Sequence, residues 1–264
     1  MPELPEVESV RKVLEKSLIN QKIKKYNITD KRINRFNNKN PKINGLLCDI
    51  KRKGKVLQFK FDNISFLFHL GMSGRLALNS AKNKHTHGVF VFERDILIFD
   101  DIRKFGFIKI LNNDEVFDHF EKLGPDSLNL TQSNKIQIIQ KASRSSVGVK
   151  KFLLNQKNIS GLGNIYVNEI LFLSKINPFL STFRLNTDSW STIFSNTRKI
   201  LKKAIKNNGT TLSDMTYYLP LGDYGTHQNN LLIYGRNICF FCSGKIDKLY
   251  IDSRATYMCN KCQR

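Results

Sequence analysis

Four of the five cysteines fall close together near the end of the chain, as Cys239-x2-Cys242 and Cys259-x2-Cys262, with sixteen residues between the pairs. Each C-x2-C unit closes a tight turn, and two such units at this spacing supply four thiolates for a tetrahedral zinc site. These residues must therefore form a small hairpin whose two ends a metal can hold together. Two redox dithiols are the competing explanation, but these do not normally occur as neighbouring pairs in so short a tail. A disulfide framework does not fit either, because the remaining cysteine, Cys48, lies far away. Within the apolar stretch GLLCDI it is expected in the core.

A chain of 264 residues, 41% hydrophobic and 25% charged, has the composition of a globular protein and room for about two domains with cores of their own. Its 43 Lys and Arg against 22 Asp and Glu give a formal net charge of +21. That excess favours an acidic partner, and nucleic acid rewards it most, because each neutralised phosphate releases counterions. An anionic membrane surface is the weaker alternative. No run approaches the roughly 18 apolar residues of a membrane span. The opening MPELPEVESV carries acids where a secretory signal carries bases and an apolar stretch. A cytoplasmic protein is expected.

Val7, Val10, Leu14 and Leu18 recur at helical spacing, with Pro5 and Glu6 suited to a helix start, so residues 5–18 predict one amphipathic helix. From about 22 to 111 short apolar runs, KVLQFKF, ISFLFHL, GVFVFE and DILIFD, predict strands of a β-sandwich or barrel. After LGPDSL at 123–128 the pattern turns helical, in SNKIQIIQKA, KKFLLNQ, NIYVNEILFLS and WSTIFSNTRKILKKAIKN. Between two of these helices stands Gly161-Leu162-Gly163, an elbow whose following amides at Gly163 and Asn164 could hold a phosphate or could serve only as a turn.

Taken in order, MPELPEVE, RKGK at 52–55, HLGMSG at 69–74, KHTH at 84–87, DIRKFG at 101–106, GLGNIYVNE at 161–169, YGR at 234–236 and the ending SRATYMCNKCQR resemble the bacterial formamidopyrimidine-DNA glycosylases over the whole chain. Leu4 makes the opening more similar to these than to the sister endonuclease VIII enzymes, which usually carry glycine there. The resemblance implies an α+β multidomain fold. Its parts are an N-terminal helix with a two-layer β-sandwich (2–113), a helix–two-turn–helix domain (127–228) and a four-cysteine zinc finger (229–264). It also implies a bifunctional enzyme of base excision repair. Such an enzyme removes 8-oxoguanine and formamidopyrimidines from duplex DNA and then cuts the abasic strand by β,δ-elimination.

Residue type alone makes Pro2 a helix-start proline. The resemblance makes it the nucleophile: with Met1 removed, its amine titrates about 2.5 units below lysine and so offers far more free base at neutral pH. Attack on C1′ by a secondary amine gives a cationic iminium, an electron sink for elimination. Glu3 and Glu6 lie beside that nucleophile, where a carboxylate can move protons on and off the sugar; the resemblance casts Glu3 as proton donor, Lys55 as the assisting hairpin lysine and Arg254 as a phosphate contact that helps the final elimination. Without it, Glu3, Glu6 and Glu8 would be read as acids complementing the helix dipole, and Lys55 as part of a solvated turn. Met72, Arg103 and Phe105 match the residues that fill the gap left by an extruded nucleotide, whereas Met72 and Phe105 alone would be read as core. His87, Lys150 and Asn164 match phosphate contacts, which position DNA without reading its sequence.

One structural zinc on Cys239, Cys242, Cys259 and Cys262 is expected, with damaged duplex DNA as partner, no small-molecule cofactor, a monomeric state and a place on the bacterial nucleoid. His69 is expected to pack, His85 and His119 to lie at the surface, and Trp190 in the core. The chain departs from the family pattern at Ser146, where a basic residue is common. Asn208 replaces the first glycine of GGTTL, Asn177 replaces a frequent histidine, and residues 216–230 match only loosely. An endonuclease VIII-like enzyme for oxidised pyrimidines and a non-catalytic zinc-ribbon DNA-binding protein are the alternatives.

Overall fold

The computed structural model describes residues 2–35, 41, 43, 45–213 and 216–264. It divides into two compact units, Met1–Lys122 with Ile205–Gln228, and Leu123–Ala204 with Asn229–Arg264.

The first unit opens with α1 (Leu4–Leu18), where Pro5 occupies the first turn and Val7, Val10, Leu14 and Leu18 form the buried face. Eight antiparallel strands follow: β1 (Ile23–Ile28), β2 (Asp49–Lys53), β3 (Val56–Lys60), β4 (Ile64–His69), β5 (Gly74–Leu78), β6 (Thr86–Phe92), β7 (Ile96–Asp101) and β8 (Phe107–Asn112). They form two four-stranded sheets, ordered β1-β6-β7-β5 and β2-β3-β4-β8. The four apolar runs are β3, β4, β6 and β7. In β4 every residue but His69 is buried, as an unbroken apolar run in an interior strand requires. Phe66 and Phe68 of β4 meet Phe90 of β6 edge-on, each at 5.3 Å between ring centroids, so aromatic contacts join the two sheets. Helix α2 (Asn113–Glu121) follows β8 and was not signalled by the sequence; its Glu115 carboxylate accepts the Asn112 N–H at the helix start.

Cys48 is exposed, contrary to the expectation of a core position. Leu47 is fully buried while Leu46 points outward, so the extended backbone alternates and turns Cys48 outward as well.

The second unit contains α3 (Gln132–Ser143), α4 (Val149–Leu154), α5 (Asn164–Leu173), most of α6 (Thr187–Lys206), β9 (Asp247–Ile251) and β10 (Arg254–Met258). Trp190 is buried between Phe152 and Phe194, with ring centroids at 5.8 and 5.7 Å. The β9–β10 hairpin pairs Ile251 with Arg254 and leaves Asp252 and Ser253 as its turn. Both have positive φ (47° and 61°), the pattern of a type I′ turn that matches strand twist. Phe172 of α5 clusters with Ile233, Cys239, Ile246 and Cys259, so the cysteine-rich tail shares a core with the helices. Division by packing thus differs from the three-part division by motif: 205–228 joins the first unit and 229–264 the second. Among the described residues no helix is long and apolar enough to cross a membrane.

Candidate functional site

In the first unit the N-terminal end of α1 is held by Glu6. Glu3 and Glu6 are each 1% exposed, and Pro2 is buried. One Glu6 carboxylate oxygen accepts the Glu3 N–H (2.9 Å), closing the first turn as in a capping box. The other accepts the Thr210 N–H at 2.7 Å. The approach is close enough to require glycine at 209, where φ is +81° and a Cβ would stand 2.8 Å from that oxygen. Asn208 also lies in the left-handed region (φ 57°), which asparagine tolerates better than most residues. The departure from GGTTL therefore keeps the backbone turn. Tyr217 donates to Asn208 O (2.8 Å) with Glu6 O at 3.3 Å; burial and the Glu6 charge push its pKa far up.

The β2–β3 hairpin pairs Lys53 with Val56, leaving Gly54 (φ 59°) and half-buried Lys55 as its turn. Arg52 donates to Glu8 (2.9 Å) and to Gly54 O (2.8 Å), fixing that turn against α1. Arg11 donates to Glu8 as well (3.1 Å) and to Ile50 O (3.1 Å). Glu8, readable from the sequence only as a helix-dipole acid, is thus the anchor of the Lys55 hairpin. His69 at the end of β4 stacks on Phe107 (5.3 Å), and its Nδ1 accepts the Gly71 N–H at 3.1 Å. Burial, then the Lys55 and Arg35 charges, lower its pKa to about 4, so the ring is neutral at pH 7. His119, expected at the surface, is half-buried and edge-on to Phe107 (6.2 Å).

Asp101, fully buried, organises the loops that carry Met72, Arg103 and Phe105. Its carboxylate accepts Ser73 Oγ–H (2.6 Å), Arg103 N–H (3.1 Å) and Gly106 N–H (2.7 Å). Gly71 packs so closely on the second loop that a Cβ would lie 2.5 Å from Gly106 N. Phe105 is 52% exposed with the Arg103 guanidinium 4.8 Å from its ring centre, and Met72 is half-exposed, so neither is a core residue. Lys104 is tied to Asp30 at 2.6 Å. His87 is buried, and its Nε2 lies 3.1 Å from Asp101 O, so it also supports this loop.

In the second unit Lys150 lies beneath β10. It is fully buried, and its ammonium donates to Ala255 O and Thr256 Oγ1, both at 2.8 Å. A desolvated cation needs such acceptors, so Lys150 positions β10. Asn164 donates to the same Ala255 O (3.0 Å), and Asn168 accepts the Tyr257 N–H (2.8 Å). These α4 and α5 side chains hold the strand whose first residue, Arg254, is exposed. Gly161 has φ +102°, and Gly163 is the N-cap of α5. Glu169 accepts the N–H groups of Leu232, Ile233 and Tyr234 (2.8, 2.9 and 2.8 Å), fixing the segment that leads into YGR. Burial raises its pKa while those amides oppose the shift.

Cys239, Cys242, Cys259 and Cys262 converge with all ligand atoms within 4.8 Å of one another, a cluster able to hold a metal ion. The Cys239–Cys262 and Cys242–Cys259 sulfurs are 3.7 and 3.5 Å apart. A tetrahedron with metal–sulfur bonds near 2.3 Å has edges of about 3.8 Å, so the donor set fits.

The formamidopyrimidine-DNA glycosylase N-terminal domain matches residues 1–108 and the H2TH domain of these enzymes matches residues 123–216. The formamidopyrimidine-DNA glycosylase of Lactococcus lactis subsp. cremoris is 36% identical over 275 residues, with both chains covered completely. That of Wolbachia pipientis subsp. Culex pipiens (strain wPip) is 36% identical over 279 residues, with the same coverage. Among solved structures, a complex of Lactococcus lactis Fpg with abasic-site DNA has a TM-score of 0.87 at 33% identity, covering 99% of each chain. A MutM complex with DNA containing carbocyclic 8-oxo-G has a TM-score of 0.89 at 34% identity, covering all of both.

Two measurements check this geometry. Gly209→Ala lowers unfolding free energy by roughly 1–3 kcal/mol through the left-handed backbone and disturbs Glu6, whereas Asn208→Gly is nearly neutral; equal, negligible effects in urea melts would contradict the close approach. Because the His69 pKa is depressed from 6.5 to about 4 in the fold, the stability that its neutral form contributes is complete above pH 6.5 and drains as pH falls through 4. An NMR titration of its Cε1 proton with a midpoint above 6 would exclude the desolvated, neutral ring.

Proposed function

The chain belongs to the formamidopyrimidine-DNA glycosylase family, and from that premise we propose that it excises 8-oxoguanine and formamidopyrimidines from duplex DNA and then cleaves the abasic strand. Relatives with about a third of their residues in common are complexed with abasic-site DNA and with Fapy-dG-containing DNA, which supports the substrate class. The observation that carries the mechanism is the double anchoring of Glu6, which fixes the backbone of Pro2 and Glu3 at the positive end of α1. That end of a helix disfavours a protonated amine, leaving the Pro2 nitrogen as free base once Met1 is removed.

The Pro2 nitrogen bonds to C1′ as the base leaves with the electrons of the N-glycosidic bond and takes up a proton, while the proton that the Pro2 nitrogen carried passes to Glu3. Glu3 protonates O4′ as the sugar ring opens to the iminium. Loss of the C2′ proton sends electrons toward the iminium and expels the 3′ phosphate; loss of the C4′ proton then expels the 5′ phosphate. Lys55, on its braced turn, and exposed Arg254 neutralise charge on phosphate as those bonds break. Met72, Phe105 and Arg103 fill the vacated stack, and Asn164 lies at the α5 start, where amides favour phosphate. Lys150 and His87 are carried over as phosphate contacts, on the strand and loop that their hydrogen bonds also hold. The metal on the four cysteines is zinc, whose role is structural because four protein ligands leave no open position for water. It braces the hairpin carrying Arg254. The enzyme works as a monomer on cytoplasmic, nucleoid DNA.

Borohydride reduction on abasic DNA tests the chemistry: the protein with Met1 removed gives a covalent adduct, Pro2→Gly gives none, and Glu3→Gln slows base excision by about 10²-fold or more. No adduct from the native protein would refute the mechanism. Stripping the metal with a chelator unfolds the hairpin and weakens DNA binding at least tenfold, with recovery on adding zinc. Undiminished binding by verified metal-free protein would remove the zinc from the DNA interface.

A further inference from the structure

Between α3 and α6 of the second unit lies a groove of about 850 Å³. On α6, Ser191, Ser195, Arg198, Lys199 and Lys202 follow helical spacing and line one wall, and Lys135 of α3 lines the other. Its apolar lining comes from Leu128, Leu130, Ile139 and Phe194. Among the described residues no carboxylate lines it. The neighbouring acids in the chain are Asp126, whose side chain accepts the Leu128 N–H at 3.1 Å, and Asp188 in the first turn of α6. A second observation also points to a ligand. Ser127 lines the groove, is 2% exposed, and its Oγ has no hydrogen-bond partner among the described residues. Buried hydroxyls are seldom left unpaired.

We propose that this groove binds the phosphate backbone of a second stretch of DNA, beyond the residues placed at the damaged nucleotide. Clustered cations without facing acids suit a polyanion better than a peptide or a neutral ligand, and the serine hydroxyls supply donors for phosphate oxygens. A second contact of this kind lets a repair enzyme hold one DNA segment while meeting another. The inference rests on the reading of the protein as a DNA enzyme, but none of these side chains belongs to the proposed chemistry.

The test compares the native full-length protein with Arg198→Gln/Lys199→Gln/Lys202→Gln and with Ser127→Ala, using three probes. These are a short abasic duplex for borohydride trapping, a long undamaged duplex for affinity against salt, and inorganic pyrophosphate for amide shifts in NMR. The triple variant should trap the short duplex as well as the native protein does. Its affinity for the long duplex should fall about tenfold or more, and its log–log salt slope should drop by roughly two to three, about 0.9 for each phosphate no longer neutralised. Pyrophosphate should shift α3 and α6 amides in the native protein, and Ser127→Ala should weaken that binding severalfold without loss of thermal stability. Pyrophosphate binding abolished in the triple variant, with long-duplex affinity unchanged, would assign the groove to a free phosphate ligand and overturn the DNA assignment. No response to pyrophosphate and an unchanged salt slope would overturn the site altogether. Failure of the native protein to trap the short duplex would instead count against the proposed function.

Discussion

Glu6 bridges two stretches of chain that lie two hundred residues apart in sequence, accepting one backbone amide from the first turn of α1 and another from Thr210. A carboxylate 1% exposed is costly to bury unless donors surround it. Those donors are backbone groups, so the cost is offset only when both segments take this conformation. The position of Pro2 and Glu3, the left-handed turn at Asn208 and Gly209, and the seat of Tyr217 all follow from that constraint. It is also why a loop late in the chain packs with the N-terminal unit rather than with the helices that precede it.

The same device recurs wherever a functional loop must be rigid. Asp101 gathers Ser73, Arg103 and Gly106; Glu8 braces the Lys55 turn through Arg52; Glu169 collects three consecutive amides; and Lys150, with the opposite charge, grips the carbonyl side of β10. Asp101, Glu169 and Lys150 are buried and paired with backbone or a short polar side chain, while half-buried Glu8 acts through two arginines, and exposed residues such as Arg103, Phe105 and Arg254 sit on the segments so fixed. Charge-assisted bonds to backbone are among the stronger ones available in a fold, and they set loop geometry with little bulk.

Such groups account for where residue type misleads. Residue type does not reveal that Lys150 and His87 lie in the interior, where a lysine or histidine also satisfies a buried carbonyl. Met72 and Phe105 carry the chemistry of core residues, yet both face solvent on loops that Asp101 and Gly71 hold together. Cys48 is turned outward by one-residue alternation next to Leu47, which a short apolar patch does not reveal. The only hint of Asp101 or Glu8 as an organiser was proximity to a motif, DIRKFG in one case and the helix start in the other.

Sequence alone determined the elements whose signals are local: α1 from its apolar spacing, β3, β4, β6 and β7 from their apolar runs, the four later helices, and the metal cluster from two C-x2-C turns. It also carried the family through eight ordered segments, and with it the residues proposed for chemistry. Only the tertiary structure decided which charged groups are buried and what they hold, that 205–228 packs on α1, that 229–264 shares a core with α5, and that Ser127 faces a cationic groove. The reason is physical: periodicity and turn spacing act over a few residues, whereas desolvating a charge depends on partners brought together from distant parts of the chain.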